Sequence, residues 1–160
     1  MRNTLFGVLL MCIAAVGFTA FIDRTGFSVG RYVPDITLNS IDSTNSQSLR
    51  LSGLGGKFTL IDFWATDTAS SRLDCKIHEL AIANNTQLKS NIYYLRVNLD
   101  LDCEMARYMT GTSEAFTTYV VDDPKQLRRV VKFDEEVHSV LIDVHGEVVA
   151  INPSLDNLPF

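Results

Sequence analysis

A chain of 160 residues, 46% of them apolar and with a formal charge of −5, is long enough for one domain with its own core and too apolar for general disorder. The acidic balance speaks against nucleic acid as a partner, because phosphate binding needs clustered Lys and Arg and the one basic pair is Arg128-Arg129. Cys12, Cys75 and Cys103 form no Cys-x-x-Cys, and the scattered His78, His138 and His145 add no zinc spacing, so neither a metal nor another cofactor is expected.

Residues 5–22, LFGVLLMCIAAVGFTAFI, carry no charge, with Arg2 before them and Asp23-Arg24 after. The run sits at the lower edge of a membrane-spanning helix and is long for a signal-peptide core. Its best cleavage sequence, Ala15-Val16-Gly17, lies inside the apolar stretch with Phe18 still to come. An uncleaved anchor is therefore favoured over a cleaved signal. Residues 1–24 are expected to be the anchor or signal, and residues 25–160 a single domain outside the cytoplasm. Arg2 on the cytoplasmic side agrees with that orientation.

Residues 36–38 and 48–51 read as two short strands around a Ser/Asn/Thr-rich turn at 39–47. After the glycines Gly53, Gly55 and Gly56, residues 58–64 are almost continuously apolar, as in a strand covered on both faces. A polar turn at 66–70 leads into a helix from about Ser71. Leu73, Ile77, Leu80 and Ala81 recur there at helical spacing and predict its buried stripe, with Cys75 off that stripe. Residues 92–98 make the next strand. Asp102 then reads as the N-cap of a short helix with Met105, Tyr108 and Met109 on one side. Asp123-Pro124 opens another helix, with Leu127, Val130 and Val131 facing inward. Residues 139–143 and 147–151 flank Val144-His145-Gly146 as a terminal hairpin. The order strand, helix, strand, helix, strand, strand predicts an α/β domain, a mixed sheet with helices packed against it.

One stretch narrows this further. Ile61-Asp62-Phe63-Trp64-Ala65-Thr66 resembles the strand that enters the active site of envelope thioredoxins of the TlpA/ResA type. In that family an aromatic residue and Cys-x-Pro-Cys-Arg follow; here the chain continues Asp67-Thr68-Ala69-Ser70-Ser71-Arg72. Arg72 keeps its place, so Thr68 and Ser71 fall at the two cysteine positions. Val140-Leu141-Ile142-Asp143 with Gly146 resembles the family's terminal hairpin, and Val137 falls at the position of its cis-proline. The resemblance covers about residues 33–151. It implies a thioredoxin-like fold, with a central mixed sheet flanked by helices. It also implies a periplasm-facing domain at the bacterial inner membrane, tethered by its N-terminal helix or secreted. Asp62 matches the buried acid that assists the family's resolving cysteine.

The departures shape the expected function. Disulfide exchange needs an attacking thiolate and a second thiol, and the hydroxyls of Thr68 and Ser71 supply neither. Without the proline, the family's device for presenting a peptide is altered too. The expectation is a binding or structural module that takes an envelope protein or peptide on a surface of Trp64, Asp67, Thr68, Ser71, Val137 and His138. Trp64 and Phe63 are at the same time expected to be mainly packing residues. Asp62 is expected to bond polar groups beneath the turn. The alternative is an oxidoreductase of altered design using Cys75, Cys103 or both. Cys103 would sit in the first turn of the helix capped by Asp102, where a thiolate is stabilised. A Cys75–Cys103 disulfide at the shared sheet edge is the form this alternative would take. A Ser71, His138 and Asp67 hydrolytic site lacks any nucleophile-elbow sequence.

Overall fold

A computed structural model describes residues 26–41, 47–100, 116–133 and 137–158. The strands are β1 (Thr37–Ser40), β2 (Ser48–Arg50), β3 (Phe58–Trp64), β4 (Ile92–Asn98), β5 (Thr118–Val120), β6 (Ser139–Ile142) and β7 (Val148–Ile151). They form one sheet in the order β2-β1-β5-β4-β3-β6-β7. β3 runs parallel to β4, and β4 to β5, while β6 is antiparallel to β3 and to β7. The apolar run of β3 thus takes the position with neighbours on both sides. The helices are α1 (Ala69–Asn84), α2 (Thr86–Asn91) and α3 (Pro124–Val131).

Alternation along the strands divides the core into two unlike halves. Ile61 and Phe63 of β3 join Leu95 and Val97 of β4 beneath Leu127 and Val131 of α3, with Phe27 and Phe133 closing the larger cluster. On the opposite face Leu60, Ile92, Tyr94 and Leu141 meet Ile82 and Leu88 of α1 and α2. That second face also buries Asp62, Arg96 and Asn98, so it is polar towards the C-terminal ends of β3 and β4.

This polarity reverses the expected orientation of α1. Leu73, Ile77 and Leu80 are 60%, 52% and 52% exposed, and Ala81 is half-buried against the smaller cluster. The buried stripe is instead Ser71, Cys75, Glu79 and Ile82. A buried charge or phenol needs a partner. Cys75, His78 and Glu79 supply those partners, and the apolar residues follow the helix round to the outside.

The other elements have local causes. Asn85 caps α2 by accepting from the N–H groups of Gln87 and Leu88 at 2.9 and 3.2 Å. Asp123 caps α3 by accepting from Gln126 N at 2.9 Å, with Pro124 next to it as expected. Asp143 accepts from the N–H groups of His145 and Glu147 at 2.8 and 2.9 Å, and Gly146 at φ +88° closes the hairpin. Neither α2 nor β5 was expected. The helix anticipated after Asp102 and the N-terminal apolar run lie outside the described residues. Among the described residues no helix is long and apolar enough to cross a membrane.

The orientation of α1 is directly testable by denaturant unfolding. Ile77→Lys should change stability by no more than about 0.5 kcal/mol, as an exposed substitution does. Ile82→Ala should cost about 2 to 5 kcal/mol, as truncation in a packed core does. Equal losses at the two positions would contradict the reversed helix.

Candidate functional site

The chain leaves β3 at Trp64 and turns into α1 through residues 65–68. Asp100 holds this turn, accepting from the N–H and hydroxyl of Thr66 at 2.7 and 2.9 Å. Asn98 fixes Asp100 in return, donating from Nδ2 at 2.9 Å and accepting from the Asp100 N–H at 3.0 Å. Ser71 is buried. Its hydroxyl donates to the Thr68 carbonyl at 2.9 Å and accepts from the Ala65 N–H at 3.3 Å. The Thr68 hydroxyl donates to Asp67 at 3.1 Å, and Asp67 pairs with Arg128 of α3 at 3.1 Å. Both hydroxyls are thus engaged in shaping the turn.

His138 lies just before β6, and its Nδ1 is 2.9 Å from Asp74 Oδ2 of α1. Its ring tilts against Phe133 at 5.6 Å between centroids. Ser71, His138 and Asp67 therefore form their hydrogen bonds with other groups. Val137 is half-buried against the larger core cluster. Trp64 and Ser71 are only 4% and 1% exposed, which removes both from the expected binding surface, and for Trp64 agrees with a packing role. Asp67 is exposed, and Thr68 and His138 are half-buried; these three remain reachable around the turn.

Beneath the turn lies a polar cluster built from β3, β4 and α1. Asp62, 1% exposed, accepts from the Tyr94 hydroxyl at 2.6 Å and meets His78 Nδ1 at 2.9 and 3.0 Å. The Tyr94 oxygen also lies 3.2 Å from the Cys75 carbonyl oxygen and 3.5 Å from Cys75 Sγ. One turn along, Glu79 accepts from Arg96 at 2.7 Å and from Lys76 at 3.0 Å. The expected structural role of Asp62 matches this geometry. Cys75 corrects the sequence reading, because it is buried at the helix–sheet interface. Cys103, and any pairing with it, lies outside the described residues.

The electrostatics follow from burial and from Asp62. Burial, then the charge of Asp62, pushes the Cys75 thiol up to about 11. About one part in ten thousand is then thiolate at neutral pH. Burial and Asp62 also drive the Tyr94 phenol far above its usual range, so it remains a donor. For His78 burial opposes the charge, but the hydrogen bond and charge of Asp62, with the charge of Asp74, outweigh it and raise its pKa.

The sequence reading missed His78, Tyr94, Glu79, Arg96, Asn98 and Asp100. Part of the signal was present: Tyr94, Arg96 and Asn98 alternate along one strand, which puts three polar groups on a single sheet face. A larger cleft of about 480 Å³ lies between residues 34–37 and α3 and is lined by Asp35, Asp122 and Asp123. Those carboxylates are already engaged, by Arg50 and Ser52, by Asn39, and by the α3 N-terminus. Among the described residues no three His, Cys, Asp or Glu side chains gather as metal ligands.

The His78–Asp62 pair gives stability a pH dependence with a definite sign. A pKa raised above 6.5 contributes fully below the unfolded value and is lost as pH rises through the folded value. Unfolding free energy measured from about pH 6 to about pH 9 should therefore fall, and His78→Gln should flatten that decline. A decline of equal slope in the variant would remove His78 as its source.

A comparison with protein-family models finds no match, and neither does one with curated proteins. Solved structures do match. The thioredoxin domain of a thiol-disulfide oxidoreductase from Bacteroides vulgatus aligns at a TM-score of 0.62 and 21% identity, over 82% of this chain and 92% of that one. A candidate thiol:disulfide interchange protein DsbE from Chlorobium tepidum aligns at a TM-score of 0.58 and 26% identity, over 79% and 85%. A thiol:disulfide interchange protein from a Bacteroides species aligns at a TM-score of 0.55 and 19% identity, over 78% and 81%. The fold of this chain is that of the thioredoxin-like superfamily.

Proposed function

We propose that this chain is a thioredoxin-fold binding module that performs no disulfide exchange of its own. The observation that carries the reading is the state of the groups at the turn. Thr68 and Ser71 stand at the positions that resemble the family's cysteines, and both hydroxyls are bonded within the turn. The described thiol closest in sequence, Cys75, is buried against Tyr94 with its pKa pushed up to about 11. Exchange requires a thiolate that can reach a disulfide in line, and Cys75 meets neither condition. The reachable groups, Asp67, Thr68 and His138, suit hydrogen bonding to an extended peptide. The apolar run at 5–22 supports a tether that holds this domain on the periplasmic side of a bacterial inner membrane.

Thiol counting on the full-length chain tests the reading, by alkylation and mass spectrometry before and after mild reduction. Cys75 should be protected in the folded protein, alkylate only on denaturation, and contribute to no disulfide. A reversible Cys75–Cys103 disulfide would overturn the proposal and establish an oxidoreductase with a displaced pair.

A further inference from the structure

A small cavity of about 140 Å³ opens on the β4 flank of α1, lined by Trp64, Arg72, Cys75, Lys76, Glu79 and Arg96. Two of the lining residues each bury an N–H donor, Trp64 Nε1 and Arg96 Nε, that has no hydrogen-bond partner among the described residues. Both residues are buried, at 4% and 8% exposure, and the Arg96 side chain is 10% exposed. Burying a donor without an acceptor is destabilising, so two beside one cavity call for an acceptor. Glu79 accepts from Arg96 Nη1 and Lys76 Nζ and takes neither of these two nitrogens.

The chemistry of the lining restricts what could enter. Indole and guanidinium nitrogens only donate. Arg72, Lys76 and Arg96 place three cations against the single carboxylate of Glu79. Arg72 is exposed and brings a further fork of donors to the mouth. A group that only accepts and carries negative charge satisfies all of these at once. The volume is well below the roughly 300 Å³ at which sites for drug-sized ligands begin, so it suits a headgroup rather than a whole cofactor. We infer that this cavity is a binding site for a small oxyanion, a phosphate or a carboxylate, received by Trp64 Nε1, Arg96 Nε and Arg72. The inference goes beyond the binding-module reading and stands whether or not the chain exchanges disulfides.

Trp64 is the single tryptophan of the chain, so its indole N–H reports on the site directly. The full-length protein, nitrogen-15-labelled and in detergent, is titrated with inorganic phosphate, with acetate, and with chloride at matched ionic strength. Phosphate or acetate should produce a saturable shift of the one indole resonance that chloride does not reproduce. Whichever saturates at lower concentration identifies the phosphate or the carboxylate source. Arg72→Gln alters an exposed side chain and should keep the folded spectrum while weakening binding by about tenfold or more, as loss of a charge-assisted bond does. No saturable shift with either oxyanion, a shift equalled by chloride, or unchanged affinity in Arg72→Gln would each overturn the site.

Discussion

Asp62 sits near the middle of the central strand with its carboxylate withdrawn from water, and the packing on that face of the sheet answers to it. An unpaired carboxylate in such a place would be neutralised or would unfold the region. Tyr94, two residues before its register partner Arg96 on β4, supplies one donor, and His78 of α1 supplies another. To bring His78 inward, α1 must turn Cys75 and Glu79 inward as well. Cys75 then meets Tyr94, Glu79 meets Arg96, and Leu73, Ile77 and Leu80 are left outside. A single acidic residue thereby links the rotation of a helix to the burial of a thiol.

The same arrangement separates the turn from the chemistry its position suggests. Ser71 fits there because a hydroxyl can donate and accept at once, and it does so to Thr68 and from Ala65. Asn98 at the end of β4 and Asp100 two residues beyond it anchor the turn. Each of these bonds contributes about 0.5 to 1.5 kcal/mol net, and together they give the turn one conformation with few free polar groups. Under the proposed function, a shaped edge with few free polar groups suits recognition. Fold alone does not assign a function; the groups at this edge carry the reading.

Much of the architecture was legible because its signals are local. The apolar run of β3 extends over seven residues, and the Asp-Pro start of α3 and the Gly146 turn each rest on one or two residues whose physics is strong. β4 was read with its bounds intact, and Asp62 with its structural role. α1 was misread because periodicity reports which side of a helix is apolar, and burial was assumed to follow. That assumption fails where the facing sheet presents Asp62, Tyr94 and Arg96. The alternation of Tyr94, Arg96 and Asn98 could have revealed this. β5, with three residues, is too short for any period to show, and its place between β1 and β4 is set by tertiary pairing.

Buried polar pairing, together with the packing of Ile82, sets which face of α1 meets the sheet. A double-mutant cycle on Glu79 and Arg96 tests it most directly, with Glu79→Ala, Arg96→Ala and the double variant compared by denaturant unfolding. Each single change should cost about 3 kcal/mol or more by leaving a buried charge without its partner. The double variant should cost clearly less than the sum of the two. Additive losses, or single losses within about 0.5 kcal/mol of zero, would contradict the account.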